Sequence, residues 1–471
     1  MILSQINLEV KPMASITKRG DTYTIRVSEG CDINGKKILH NMTWKPDPGM
    51  TPKQIEKELN RQAVMFEEKC RNGAYISSDI KFADFAERWM DEYARKQLRA
   101  KTIAQYEALL PRVNAAIGNI KIDKIQPHHL LAFYSNLAEK GVRLDTKYHC
   151  KVDLRELIKK KKQTFEKVAK KGGIAEQSIT SAAKGNNVSL NTATAISSAL
   201  GVKLDKIFEP SGEVKPLSGR TILHHHRFIS SIMTTAVQWQ IISSNPCERV
   251  KPPKAERKEA AYLDEHQAAY LLECLDNEPI TYRALFTLIL YSGMRRGEAC
   301  GLEWADIDLD NGIVDINKSS LYLPQKGVFD DDTKNTSSRR VIKLPQPAVD
   351  VLKEYRAYQA QERLKLGDQW QNTNKVFTAW NGRPIHPDSV SCWFHDFVKR
   401  YDLPPIHVHS LRHTNATLLI YSGTDLKTVS NRLGHADVST TGNIYTHAIK
   451  TADERAAEAL TDIFNKHKKN A

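Results

Sequence analysis

The stretch "HVHSLRHTNA" at residues 407–416 crowds His407, His409, Arg412 and His413 together. On a helix His409 and His413 share a face, as two metal ligands would. Arg412 would set a cation against that metal, and no carboxylate lies in the stretch to balance it. Leu411, followed by Leu418 and Leu419, also fits the buried start of a helix, a role compatible with His409 and Arg412 facing a site. The third reading is the basic lining of a pocket that handles phosphate. Three other islands bear on the choice. "YSGMRRGEACGLEWADID" (291–308) ends an apolar helix in a Ser-Gly turn and then presents Arg295. "DDTKNTSSRRVIKLP" (331–345) reads as a turn-rich basic hairpin containing Lys334, and "NRLGHADVSTTGNIYTHA" (431–448) offers His435 and Tyr445. Each alone has an ordinary structural explanation. Together, two arginines, a lysine, two histidines and a tyrosine form a cationic set with one possible nucleophile.

Residues so far apart in sequence can meet only on a folded core. At 471 residues the chain is too long for one ordinary core, and about three domains are expected. Hydrophobic content of 41% and charged content of 26% fit a soluble globular protein. The net charge of +14 and pI near 9.2 point to a polyanionic partner. Nucleic acid is favoured over a membrane, because the longest apolar run, 284–291, is too short to span a bilayer. The N-terminus lacks a signal-peptide core, so a cytoplasmic location is expected. Met13 opens "MASITKRGDTY" and reads as a start, which would make residues 1–12 an upstream extension. Seven cysteines without a CxxC pair argue for reduced thiols and against a zinc ribbon or disulfide frame.

Along the chain, "TYTIRV" puts Tyr23, Ile25 and Val27 on one face of a strand, and "KILHNMTW" supplies another. A helix then starts at Pro52 with Thr51 as its cap. Helical periodicity fills 82–142 and resumes at 217–245. Between them, residues 147–171 hold ten Lys or Arg against three acids, which marks an insertion in a helical domain. Within it, Thr164 caps a helix with Val168 and Ala169 inward, Gly173 turns the chain, and Ile174 and Ile179 anchor a second helix. With "SLNTATAISSALGVKLDKIFE" following, this segment resembles Cro/repressor-type helix-turn-helix domains. That resemblance implies a second helix offering Glu176, Gln177, Thr180 and Ser181 to base edges in a major groove. Phe165 and Gly172 depart from the family, which usually has a phosphate-contacting glutamine and a core leucine there. The alternative is a module kept for protein contacts. Residues 246–260 read as an extended basic linker.

Apart from the inserted helix-turn-helix, which departs from the usual pattern, the chain resembles the tyrosine recombinases, in particular the integrases of temperate phages and conjugative transposons. "SGMRRGE" resembles the family's first arginine box, "TKNTSSRR" its lysine segment, "HSLRH" its His-x-x-Arg box and "LGHADVSTTGNIY" its His-to-Tyr ending, all in family order. The resemblance implies a multidomain, mainly α fold with an α+β catalytic domain at 256–471. It further implies a helical core-binding domain at 80–255 carrying the helix-turn-helix insertion at 147–212, and a small N-terminal β-sheet-plus-helix module at 13–72 for arm-type DNA. It implies attack by Tyr445 on a scissile phosphorus, charge stabilisation by Arg295 and Arg412, a hydrogen bond from His435 and protonation of the leaving 5′-oxygen by Lys334. His409 would receive the tyrosine proton or orient the ring, Glu298 would orient the His-x-x-Arg box, and nearby cations would favour the phenolate. Neither metal nor nucleotide cofactor is implied. The implied partners are double-stranded DNA, further copies of the chain in a tetramer on DNA, and an accessory directionality protein. A C-terminal helix with Ala456, Leu460 and Ile463 would dock on a neighbouring protomer. The alternatives are a type IB topoisomerase and a non-catalytic helix-turn-helix regulator.

Overall fold

A computed structural model describes residues 14–445 apart from 32–36, 72–79, 144, 214, 255–259 and 333–337. Residues 1–12, Met13, Lys334 and the C-terminal segment with Ala456, Leu460 and Ile463 lie outside the described residues. The chain divides into two units, 1–256 and 257–471. Among the described residues no helix is long and apolar enough to cross a membrane.

The first unit begins with an antiparallel sheet of β1 (Ser15–Arg19), β2 (Thr22–Cys31) and β3 (Lys37–Trp44). Alternation on β2 buries Ile25 and Val27, and α1 (Pro52–Arg71) sets Leu59, Ala63, Phe66 and Cys70 against them. A helical core follows from α2 (Phe82–Trp89), a π turn at Met90–Ala94 and α3 (Arg95–Gln97). It continues through α4 (Ala100–Ile117) and α5 (Pro127–Leu137). The periodic set Phe82, Phe85, Ala86 and Trp89 packs with Val113, Ile117, Leu130 and Phe133. This core is incomplete until α11 (Gly219–Gln238) returns with Phe228, Ile229, Ile232 and Met233. Trp89 Nε1 donates to Thr235 Oγ1 at 2.9 Å across that junction. The expected linker starts too early. Residues Pro246–Arg249 form a 3-10 turn, and Cys247 and Val250 are buried in this core because Asn245 caps the turn and ties it to Ser230 and Thr234.

Between α5 and α11 the chain builds a second core. It contains β4 (Lys147–Cys150), α6 (Leu154–Lys160), α7 (Phe165–Gly172), α8 (Glu176–Ala183) and β5 (Val188–Ser189). It closes with α9 (Leu190–Leu200), α10 (Leu204–Ile207) and β6 (Phe208–Pro210). Leu154, Ile158, Val168, Ile179, Ile196 and Phe208 pack together. The entering β4 pairs antiparallel with the leaving β6, so both ends of the segment lie side by side. Thr164 Oγ1 accepts from Lys167 N, and Gly173 takes a left-handed conformation (φ 62°) that turns α7 into α8. A Cβ at Gly172 would lie 3.2 Å from Ala195 O, so α7 and α9 approach closely there and a larger residue would require a small shift. Phe165 is half-buried against the same core, and its ring has no group that could hydrogen-bond a phosphate.

The second unit packs helices around small sheets. Its elements are α12 (Glu265–Asp276), α13 (Ile280–Ser292), α14 (Arg296–Gly301), β7 (Ile307–Asp308), β8 (Ile313–Ile316), β9 (Lys318–Leu323) and β10 (Gly327–Asp332). They continue as β11 (Arg340–Lys343), α15 (Gln346–Leu366), α16 (Pro387–Arg400), α17 (Val408–Tyr421), α18 (Leu426–Leu433) and α19 (Val438–Ile444). The apolar α13 is buried almost all round, as its continuous hydrophobic run requires. The expected hairpin over 331–345 does not form. Among the described residues β10 pairs with β9, whereas β11 pairs with β8, so the two strands that flank this segment do not pair with each other. The reason is the turn before Gly327 (φ 71°), which already folds β10 back on β9.

Candidate active site

The cationic residues are carried by helix ends and one strand of the second unit. Arg412 lies on α17, whose N-terminus is closed by a capping box between His407 and Ser410. Its side chain is almost completely buried. Nη1 donates to Gly293 O at 2.7 Å and Nη2 to Leu433 O at 2.6 Å, which fixes the plane of the guanidinium. Gly293 ends α13 in a left-handed conformation (φ 67°), and a Cβ there would fall 2.7 Å from Asn415 Oδ1. The Ser-Gly turn therefore supplies the carbonyl that holds Arg412. Burial, reinforced by Arg295, lowers the Arg412 pKa to about 9, which leaves it a cation at neutral pH.

Arg295 is the N-cap of α14. Its Nη1 donates to Glu298 Oε1 at 2.7 Å and its backbone N–H to Glu298 Oε2 at 2.9 Å. Glu298 also accepts from Arg340 Nη2 at 2.8 Å. Burial pushes the Glu298 carboxyl upward, but Arg340 and Arg295 outweigh it and hold it below the ordinary range. Glu298 thus anchors Arg295 and Arg340 by hydrogen bonds, and its charge also acts on Arg412 of the His-x-x-Arg box. Arg340 is a residue the sequence reading missed. It links Glu298 to Ser338 O and to Arg432 O on α18. Strand alternation carried a signal for it, since Arg340 falls on the same buried face as Ile342.

Tyr445 follows α19 and is only 1% exposed, packed against Ala416, Ile420, Val429 and Leu433. Its hydroxyl shares a 2.9 Å hydrogen bond with His413 Nδ1. Burial pushes the phenol up to about 12 against the opposing pull of Arg412 and Arg295. The cations do favour the phenolate, as expected, but loss of water outweighs their charge and the net shift is upward. His413, and not His409, meets the tyrosine hydroxyl. The His409 ring instead packs edge-on against His413, with centroids 4.7 Å apart at 84°. Sequence spacing put both histidines on one face of α17 and could not say which would meet a residue from α19. His435 Nδ1 pairs with Thr441 Oγ1 at 2.8 Å. Burial, with the neighbouring His413 and Arg412, lowers His409 to about 4. Burial and Arg412, Arg295 and Arg340 do the same for His435.

The structure brings His409, His435 and Tyr445 each within electrostatic reach of Arg412 and Arg295. His407 bonds Ser410 and His413 bonds Tyr445, so the three histidine rings do not converge on a metal position. Among the described residues no cluster of three or more His, Cys, Asp or Glu could hold one. In the first unit, Glu176 and Gln177 are exposed at the start of α8, and Thr180 and Ser181 lie half-exposed one turn on, opposite the buried Ile179 and Ala182. Ser181 Oγ accepts from Asn186 Nδ2 at 3.3 Å.

The phage integrase family model matches residues 261–452. The model of the phage integrase N-terminal SAM-like domain matches 81–138, and that of the Cro/C1-type HTH DNA-binding domain matches 153–213. The chain is 31% identical over 264 residues to a tyrosine recombinase XerC-like protein of Caldanaerobacter subterraneus subsp. tengcongensis, covering 52% of this chain and 67% of that protein. It is 30% identical over 240 residues to a tyrosine recombinase of Thermosipho africanus (50% and 74% covered), and 29% identical over 249 residues to the ICEBs1 integrase of Bacillus subtilis (52% and 67%). In fold it is similar to the Tn1549 transposon integrase, solved in complex with a circular intermediate DNA, with a TM-score of 0.55 at 17% identity over 81% of this chain and all of that one.

Proposed function

The chain belongs to the tyrosine recombinases of the phage integrase family, and we propose that its Tyr445 cuts and rejoins double-stranded DNA at specific sites to integrate or excise a mobile element. The observation that carries this assignment is the placement of a buried tyrosine hydroxyl in the field of Arg412 and Arg295. Attack by Oη on phosphorus leaves a 3′-phosphotyrosine and a free 5′-hydroxyl. Exchange of one phosphoester for another conserves the bond, so rejoining needs no nucleotide. Arg412 and Arg295 bind the non-bridging oxygens, where charge grows during attack. His435 hydrogen-bonds the same phosphate, His409 backs the ring of His413, and Lys334 protonates the 5′-oxygen. Charge stabilisation by arginines makes a metal unnecessary for the step.

In this reading residues 256–471 carry catalysis. Residues 80–255 clamp the core site, and 13–72 bind a separate arm-type sequence. The insertion at 147–212 reads bases through Glu176, Gln177, Thr180 and Ser181. Charge supports that last role: the insertion holds thirteen Lys or Arg against six Asp or Glu, a net +7 and half of the chain's +14. A tetramer follows from the chemistry, because exchange between two duplexes needs a tyrosine for each of four strands. Near-balanced phosphoester exchange sets no direction of its own, which leaves that choice to an accessory protein. The reaction takes place on DNA in the cytoplasm. The test is a nicked suicide duplex bearing the element's end: a covalent protein–DNA adduct at Tyr445 is expected. Binding without any adduct would leave a non-catalytic regulator. Relaxation of plasmids lacking the site would point to a topoisomerase.

A further inference from the structure

Tyr445 presents its hydroxyl to an imidazole. His413 Nδ1 lies 2.9 Å from Oη, and the two rings are 5.7 Å apart at 60°. The His409 ring, one turn back on α17, packs edge-on against His413. We propose that His413 is a catalytic residue, the acceptor of the phenol proton as Tyr445 attacks phosphorus. This rests on the recombinase reading above. The Tyr445 Oη–P bond forms and the P–O5′ bond breaks. The phenol proton passes to His413 Nδ1, while a separate acid, Lys334 in that reading, protonates the departing oxygen. On rejoining, the P–O5′ bond forms as the Oη–P bond breaks, the 5′-hydroxyl proton passes back to Lys334, and His413 returns its proton to the tyrosine oxygen.

Burial makes an acceptor necessary. A phenol pushed up to about 12 supplies almost no phenolate at neutral pH, so its attack must be accompanied by proton removal. His435 gives its Nδ1 to Thr441, and His409 reaches Tyr445 through His413. Among the described residues, the groups facing His413 include His409 on its own helix, Tyr445 after α19, and His435 between α18 and α19, with Arg412 beside it in sequence. His409 and His435, both lowered to about 4 by burial, are neutral above that pH and add no second titration near neutrality.

Single-turnover adduct formation by the full chain on the suicide duplex, followed across mildly acidic to alkaline pH, tests the assignment. His413→Ala and the shape-preserving His413→Gln are expected to be about 10²-fold slower at neutral pH. The deficit should shrink roughly tenfold per pH unit as hydroxide replaces the lost base. It should also shrink when difluorotyrosine, a more acidic phenol, replaces Tyr445. Retained DNA binding by His413→Gln marks that variant as folded. A deficit identical at every pH and with either phenol would reduce His413 to a packing residue. Wild-type protein that forms no adduct overturns the recombinase reading itself and is distinguished from that outcome by its own control.

Discussion

Glu298 and Arg340 form an ion pair at 2.8 Å with side chains only 4% and 6% exposed, and the same carboxylate holds Arg295 at 2.7 Å. One buried anion thus keeps two guanidinium groups within electrostatic reach of Arg412. Removing either partner strands charge away from water. Arg340→Ala is expected to destabilise the second unit by about 3–5 kcal/mol, the range for breaking a buried pair. Denaturant unfolding would read it, and a loss under about 1 kcal/mol would show that water reaches the pair.

The same triad predicts a pH dependence. The folded-state pKa of Glu298 is held below its ordinary value of about 4.3. Its contribution is therefore complete above that value and is lost as the pH falls through the folded pKa. Stability of the wild type should drop on acidification more steeply than that of Glu298→Gln, which has no proton to take up there. Parallel curves would assign the acid loss to other carboxylates.

Tyr445→Phe should abolish adducts while site binding stays near wild type. The ring remains packed among Ala416, Ile420, Val429 and Leu433, and only the hydroxyl bonded to His413 is lost. Any adduct formed by Tyr445→Phe would mean that another residue is the nucleophile.

Gly293→Ala joins backbone strain to displacement of the carbonyl that holds Arg412. The residue sits at φ 67°, and the new Cβ would meet Asn415 Oδ1 at 2.7 Å. A loss of more than about 1 kcal/mol in stability is expected, together with slower cleavage of DNA that is already bound. A stable variant that cleaves normally would show that Gly293 O does not orient Arg412.

Lys334→Ala should lose about 10²–10⁴-fold in cleavage, the usual range for a general acid. A substrate with sulfur in place of the bridging 5′-oxygen should rescue it, because a thiolate leaves without a proton. Arg295→Ala and Arg412→Ala should gain nothing from the sulfur, since their task is charge. Equal rescue of all three would move the acid elsewhere. EDTA should leave every one of these rates unchanged.

The pairing of β4 with β6 makes the insertion removable, since its two ends already lie side by side. Replacing residues 147–212 by a short flexible loop should preserve cleavage of the nicked substrate. Glu176→Ala combined with Gln177→Ala should change base preference by about 1–3 kcal/mol per good contact. A footprint unchanged at every base would indicate a protein-binding module instead.

Local signals were legible wherever chemistry and backbone agree over a few residues. Alternation gave β2 its buried Ile25 and Val27, Thr164 and Gly173 marked the ends of α7, and the Ser-Gly turn before Arg295 announced the end of α13. The islands holding Arg295, His409, Arg412, His435 and Tyr445 were equally visible, because a cationic phosphate pocket needs those side-chain types. Pairing between distant segments was not visible. Arg340 reaches Glu298 only after β11 joins β8, and β10 and β11 do not pair with each other because β10 has a nearer partner in β9. His409 and His413 share one helix face, so spacing alone left both open to Tyr445; the packing of α19 against α17 and α18 decided for His413. The direction of the tyrosine's shift was settled by that packing as well. Sequence lists the cations around a phenol, but only the tertiary fold sets how much water it loses, and here that loss is the larger effect.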